Sequence, residues 1–96
     1  MYRLNFGEDF WKTYKKLVQG NPLLLKKFEK TLDILSEDPF YPSLKTHKVD
    51  TKRNKNIYSS SVSGDVRIGW MFNQNDDLVI LILEAGTHSG ASQIYK

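Results

Sequence analysis

Two residues in the last third of the chain belong to types that a phosphate-cleaving site uses. Arg67 stands inside the apolar run Asp65–Phe72, and His88 comes just past the end of a second apolar run, Leu78–Leu83. A guanidinium is a planar, permanently charged fork that grips a phosphate with two hydrogen bonds. An imidazole accepts and releases protons near neutral pH. The two residues together indicate acid–base chemistry at a phosphate.

Two further residues extend this set. Tyr95 is the penultimate residue, and a tyrosine can stack on a base or hold a phosphate. His47 lies in Lys45-Thr46-His47-Lys48. Ribonuclease chemistry needs a base for the 2′-OH, an acid for the 5′-oxygen and a cation on the phosphate. Two histidines and one arginine match these needs.

Each of these residues also has a plainer interpretation. Arg67 is then an ordinary surface arginine paired with Asp65 or Asp77, and both histidines are exposed loop residues. Tyr95 is then an aromatic plug that closes the sheet edge. Residue types alone leave both sets of interpretations open.

A short basic stretch surrounds His47. Its basic residues are Lys45, Lys48, Lys52, Arg53 and Lys55, and Asp50 is the one acidic residue within it. A local basic surface fits a polyanion such as RNA, or an acidic partner chain. The alternative is a solvated loop.

Composition narrows the classes of protein that remain. The chain has 96 residues, a net charge of +3 and no cysteine, which favours one domain over residues 1–96 and excludes disulfides and thiolate chemistry. With two histidines as the available nitrogen ligands, we expect no metal and no small-molecule cofactor. The N-terminus lacks the apolar run of a signal peptide, and no stretch has the ~18 apolar residues of a membrane span. We therefore expect a cytoplasmic protein with no membrane contact.

The first half of the chain predicts a strand and two helices. Tyr2–Phe6 alternates like a strand, and apolar residues from Phe10 to Val18 recur at helical spacing. Gly20 suits the end of this helix, and Asn21-Pro22 suits the start of the next. The second helix carries one apolar stripe, formed by Leu25, Phe28, Leu32 and Leu35. Two such helices with so short a link should form a hairpin on one face of a sheet.

The second half predicts that sheet. We expect a loop over Phe40–Asn56, strands over Ile57–Val62, Asp65–Phe72 and Leu78–Leu83, and a small final strand near Ile94-Tyr95. Alternation places Val66, Ile68, Trp70 and Phe72 toward the helices and Arg67 on the opposite, concave face. The order of elements indicates an α+β fold with a small, twisted, mostly antiparallel sheet.

Three segments resemble the RelE/ParE toxin superfamily, most closely its YafQ branch. They are Leu44-Lys45-Thr46-His47-Lys48-Val49, Gly64-Asp65-Val66-Arg67-Ile68, and the run from Ile80 to Ser89 that contains Gly86-Thr87-His88-Ser89. The resemblance covers nearly the whole chain. It implies a small twisted antiparallel sheet with two helices on one face, and a toxin of a type II toxin–antitoxin pair that cuts mRNA in the ribosomal A site without a metal.

The resemblance also implies roles and partners. His47, Asp65, Arg67, His88 and Tyr95 match catalytic positions of RelE-like or YafQ-like toxins, and the basic stretch would contact ribosomal RNA. A cognate antitoxin would bind and neutralise the toxin. Ser59 and Ser61 stand where RelE carries two lysines. This difference leaves open a non-nuclease alternative, either a ParE-like inhibitor of DNA gyrase or a weakened toxin that acts only as an antitoxin-binding module.

Overall fold

The computed structural model describes residues 1–88 and 93–95. Two helices, α1 and α2, follow the first strand, and the other four strands come after them. The bounds are β1 Arg3–Phe6, α1 Glu8–Val18, α2 Pro22–Glu37, β2 His47–Val49, β3 Ile57–Ser61, β4 Val66–Asn73 and β5 Asp76–Thr87, with a 3-10 turn at Pro42–Leu44 between α2 and β2. Neither helix is long and apolar enough to cross a membrane.

The five strands form one sheet in the order β1-β5-β4-β3-β2. The β2–β3, β3–β4 and β4–β5 pairs are antiparallel, whereas β1 runs parallel to β5 at the edge. The predicted α+β class with a mostly antiparallel sheet is therefore confirmed. The β4–β5 hairpin forms the centre of the sheet.

The structure also confirms the residues that were predicted to end the first helix and to begin the second. Gly20 has a φ of +67°, a left-handed conformation that glycine adopts without steric cost. The Asn21 side chain accepts a hydrogen bond of 3.1 Å from the Leu24 backbone N–H, and Pro22 occupies the first turn of α2. These residues end one helix and begin the next within a few positions.

Both helices pack on the same face of the sheet. Phe10 of α1 and Phe28 and Leu35 of α2 are fully buried against apolar side chains of β4 and β5. The strand residues in this core are Val66, Ile68, Trp70, Ile80, Ile82 and Ala85. Among the residues that the structure describes, no helix covers the opposite face of the sheet.

The structure corrects three predicted boundaries. Phe40–Asn56 is not a continuous loop, because His47–Val49 adds an edge strand to β3. β5 continues to Thr87, beyond the predicted end at Leu83, since pairing with β4 supplies its backbone hydrogen bonds even where glycine and polar residues disfavour a strand. Within residues 93–95, the part of the C-terminal segment that the structure describes, the predicted strand near Ile94-Tyr95 is replaced by isolated bridges of Tyr95 with Thr51 and of Gln93 with Thr87.

A β-bulge interrupts the alternation of β5. Gly69 pairs with Glu84 while the next residue, Trp70, pairs with Ile82, so β5 has one extra residue, Leu83, at this point. The insertion changes the face on which the following side chains lie. Ile82 consequently belongs to the core beneath the helices, and Glu84 lies on the opposite face.

Candidate functional site

Strand register brings the polar candidates to the face without helices. Directly paired residues project to the same face of a sheet. His47, Ser59, Gly69 and Glu84 therefore form one row across β2, β3, β4 and β5. A second row contains Ser61, Arg67 and Gly86. We call this helix-free side the open face.

Arg67 is fixed on the open face as alternation predicted. It is half-buried, and its Nη1 donates to Ser61 Oγ at 2.9 Å and to the Ser63 carbonyl at 2.7 Å. Within the described part of the chain, every hydrogen bond from this guanidinium leaves from Nη1. A serine and backbone carbonyls hold Arg67, and its Nε and Nη2 keep donors for an anion.

His88 and Tyr95 contact each other, and His88 follows two residues after Gly86, the partner of Arg67 on β5. The His88 backbone N–H donates to the Asp65 carbonyl at 2.7 Å, which fixes the residue next to the start of β4. The His88 ring meets the Tyr95 ring edge to face, with 5.2 Å between centroids. The Tyr95 and Ser59 hydroxyls share a hydrogen bond of 2.5 Å. Tyr95 thus connects His88 to the middle of the open face.

His47 enters the site from the edge strand. It is exposed and pairs with Ser59, the residue that holds the Tyr95 hydroxyl. The His47 Nδ1 lies 2.9 Å from the Lys45 carbonyl oxygen. A carbonyl can only accept, so Nδ1 carries the hydrogen and Nε2 of the neutral ring keeps its lone pair. That tautomer leaves Nε2 ready to accept a proton.

The five predicted catalytic residues therefore lie on or next to the strands that form the open face, with unequal direct contact. His88 touches Tyr95, and Asp65 contacts His88 through the backbone. Arg67 lies on the strand that begins beside Asp65. His47 is connected to the others by register alone.

The basic stretch does not form one surface. Lys48 lies with its Nζ 4.5 Å from the centroid of the Tyr58 ring, and it also contacts Asn56. Residues adjacent on β2 point to opposite faces, so Lys48 leaves the face of His47. Arg53 pairs with Asp9 of α1 at 2.9 Å. The remaining three predicted contact residues, Lys45, Lys52 and Lys55, are exposed.

Sequence reasoning missed Glu84. This residue is 3% exposed, and its Oε2 accepts from Thr51 Oγ1 at 2.8 Å and from Asn54 Nδ2. The signal in the sequence was a single carboxylate directly after an apolar strand. The bulge that brings it onto the open face has no signature of its own in the sequence.

Three solved structures show the relationship of this fold to known proteins. The chain is similar to YafQ from E. coli, with 18% identity, a TM-score of 0.68 and coverage of 91% of this chain and 93% of YafQ. It is similar to a metal-bound toxin from Helicobacter pylori at 21% identity, with a TM-score of 0.72 and coverage of 92% and 96%. The YoeB–YefM complex from Staphylococcus aureus contains a chain with 19% identity, a TM-score of 0.65 and coverage of 88% and 94%.

These likenesses define the class of fold. YafQ and YoeB are toxins of the RelE/ParE superfamily, and the predicted resemblance to that superfamily is confirmed for the fold. No protein-family model and no curated protein matches the chain.

Proposed function

We propose that this protein is the toxin of a type II toxin–antitoxin pair and that it cleaves mRNA on the translating ribosome. The observation that carries the proposal is that one face of β3 holds both parts of the site. Ser61 binds Arg67, and Ser59 binds Tyr95, which in turn contacts His88. These residues supply a cation, a proton-transfer group and a positioning ring on one face of the sheet. Similarity to the toxin chains of a YoeB–YefM and a DinJ–YafQ complex supports an antitoxin as partner.

The cleavage step needs no metal. His47 Nε2 takes the proton of the 2′-OH, and the 2′-oxygen attacks the adjacent phosphorus. The bond to the 5′-oxygen then breaks, and His88 donates a proton to that leaving oxygen. The product is a 2′,3′-cyclic phosphate or, after hydrolysis, a 3′-phosphate. The tautomer set by the Lys45 carbonyl supports His47 as the base.

Arg67 stabilises the charge that develops on the phosphoryl oxygens. Its Nη1 is anchored by Ser61 and Ser63, so the guanidinium reorganises little when the phosphate binds. Tyr95 positions a base or the phosphate. Asp65 orients His88 or assists as a base, in keeping with its place beside that histidine.

The positive charge of the basic stretch indicates how the protein contacts RNA and an antitoxin. We assign ribosomal RNA contact to the basic stretch, chiefly its exposed members Lys45, Lys52 and Lys55, with smaller contributions from Lys48 and Arg53 because both already have partners. Such contacts make binding fall as salt rises. An acidic antitoxin segment across the open face would neutralise the same charges.

One observation favours a second function. The hydroxyls of Ser59 and Ser61 are engaged by Tyr95 and Arg67, so neither position offers the open face a further cation or proton carrier. A protein with this feature suits a non-nuclease role, such as a ParE-like inhibitor of DNA gyrase or a toxin reduced to antitoxin binding.

The deciding experiment is cleavage of a defined mRNA by purified protein, with and without programmed ribosomes. Arg67→Ala and His88→Ala should each lower ribosome-dependent cleavage about 10²–10⁴-fold. Arg3→Ala is the matched control, because it removes an arginine whose exposed pair with Asp76 lies on the far edge of the sheet. Cleavage that persists in both site variants would refute the assigned roles. Absence of cleavage by the wild-type protein would refute the nuclease and direct the test to gyrase.

A further inference from the structure

Glu84 is the one charged side chain among the buried residues that the structure describes. A buried carboxylate is costly unless hydrogen bonds or a cation compensate for the lost water. The ion pairs between described residues join Arg3 to Asp76 and Arg53 to Asp9. Hydrogen bonds from Thr51 and Asn54 therefore compensate the Glu84 charge.

The sheet is built to admit this carboxylate. The bulge at Leu83 turns Glu84 away from the apolar core and onto the open face. Its cross-strand partner is Gly69, and a Cβ added there would lie 2.8 Å from Glu84 Cγ. The glycine thus leaves the space across which the Glu84 side chain extends. The bulge and the glycine therefore both make room for the side chain of Glu84.

Glu84 holds a turn that spans residues 51–54. Thr51 N donates to the Asn54 carbonyl at 2.7 Å, and Asn54 N donates to Thr51 Oγ1 at 3.0 Å, which closes the turn on itself. The carboxylate accepts from the side chains at both ends of it. Hydrogen bonds to a charged acceptor are stronger than neutral ones. The carboxylate therefore ties this turn to β5.

The same turn receives the C-terminal segment. Thr51 forms a bridge with Tyr95, and Lys52 N donates to the Ile94 carbonyl at 2.9 Å. On the other side of the segment, Ile94 N donates to the Thr87 carbonyl at 3.2 Å. The segment that carries Tyr95 is thus held between the 51–54 turn and the end of β5.

We propose that Glu84 is a positioning residue that holds Tyr95 against Ser59 and His88 through the 51–54 turn. The carboxylate itself does not touch the RNA, because it is buried and its Oε2 is occupied by Thr51 and Asn54. The effect that we expect Glu84 to have on RNA cleavage rests on the proposed function. The effect of Glu84 on the docking of the C-terminal segment is independent of that function.

Amide hydrogen exchange measured by NMR tests the docking directly. In Glu84→Ala, the amides of Lys52 and Ile94 should exchange about 10–100-fold faster, as expected for the loss of hydrogen bonds to a charged group. Glu84→Gln keeps an acceptor but removes the charge, so its acceleration should be smaller. The Gly7 amide, bonded to the Ile82 carbonyl at 2.8 Å, should keep its wild-type rate.

Two further variants keep the test decisive. Thr51→Val removes the hydroxyl between Glu84 and the turn, and it should accelerate the same two amides, even if Glu84→Ala does not fold. Asp77→Ala, an exposed carboxylate on the same strand, should leave them unchanged. Unchanged rates at Lys52 and Ile94 in both Glu84→Gln and Thr51→Val would overturn the proposal. So would an equal acceleration at Gly7, which would indicate a general structural role.

Cleavage provides a second readout that separates the two proposals. If Glu84 acts through Tyr95, Tyr95→Phe should cause little further loss of cleavage in a Glu84→Gln background, giving a strongly non-additive cycle. Additive losses would overturn the positioning role. A wild-type protein that cleaves no mRNA would refute the proposed function, while the exchange rates would still decide the role of Glu84.

Discussion

The two faces of the sheet satisfy their polar groups in different ways. Ser60 and Ser59 are neighbours on β3, and both are fully buried. On the covered face, Ser60 Oγ accepts from Trp70 Nε1 at 2.8 Å, inside an apolar core. On the open face, Ser59 bonds to the hydroxyl of Tyr95, which lies 36 positions away in the chain. One serine completes the core, and the other joins the C-terminus to the sheet.

This contrast indicates how the fold separates stability from function. Beneath the helices, burial of large apolar side chains stabilises the protein, and few polar groups are involved. The open face is held by hydrogen bonds between distant segments, such as Tyr95 with Ser59 and Glu84 with Thr51. Variants on the covered face should therefore lower stability most, and variants on the open face should mainly lower activity.

The largest expected loss of stability comes from the covered face. Phe28 is fully buried and contacts the rings of Phe10 and Tyr14. Phe28→Ala should lower the free energy of unfolding by about 3–5 kcal/mol, measured by urea denaturation. The control is Leu23→Ala on the same helix, where the side chain is 66% exposed and the change should stay within about 0.5 kcal/mol. Equal effects would contradict the assignment of the core to one helix face.

Gly69→Ala tests the close approach on the open face. The added Cβ would lie 2.8 Å from Glu84 Cγ and 2.9 Å from Ile57 Cδ1, and such overpacking should cost about 1–3 kcal/mol. At Gly64 an added Cβ meets no atom within 4 Å, so Gly64→Ala should be nearly neutral. Thermal and urea unfolding of the two variants measure the difference. Similar stabilities would show that Glu84 moves aside without cost.

The paired serines give the most direct comparison of the faces. Ser60→Ala leaves the buried Trp70 N–H without its acceptor, which should cost about 1–3 kcal/mol. Ser59→Ala removes the partner of the Tyr95 hydroxyl. Tyr95 is partly exposed and can bond to water instead, so the loss of unfolding free energy should be smaller. Urea denaturation of both variants measures the two costs. A larger loss in Ser59→Ala would reverse the roles that we assign to the two faces.

Periodicity in the sequence was sufficient to predict the covered face. The helical stripe through Phe28 and Leu35 and the alternation of Ile68 with Trp70 are direct consequences of burial on one side. Pairing with neighbouring strands was harder to predict. The edge strand His47–Val49 and the extension of β5 to Thr87 depend on partners far away in the chain, which local residue preferences do not encode.

The candidate site was only partly predictable for the same reason. Alternation placed Arg67 on the open face, because its neighbours Val66 and Ile68 had to enter the core. The bulge reverses that alternation on β5, and so Glu84 was missed. Residue types suggested both histidines, whereas the partners of their rings, Tyr95 and the Lys45 carbonyl, emerged only from the fold.

The hydroxyl of Tyr95 offers a test in which stability should change little and activity should change strongly. Tyr95→Phe removes one hydroxyl and its bond to Ser59, so it should cost about 0.5–1.5 kcal/mol of unfolding free energy while the ring keeps its contact with His88. Ribosome-dependent cleavage should fall by a larger factor than this loss of stability explains, because the ring loses the hydrogen bond that fixes it to Ser59. Parallel urea denaturation and mRNA cleavage measure both quantities. If cleavage stays at the wild-type rate, the Tyr95 hydroxyl closes the sheet edge and has no part in positioning RNA.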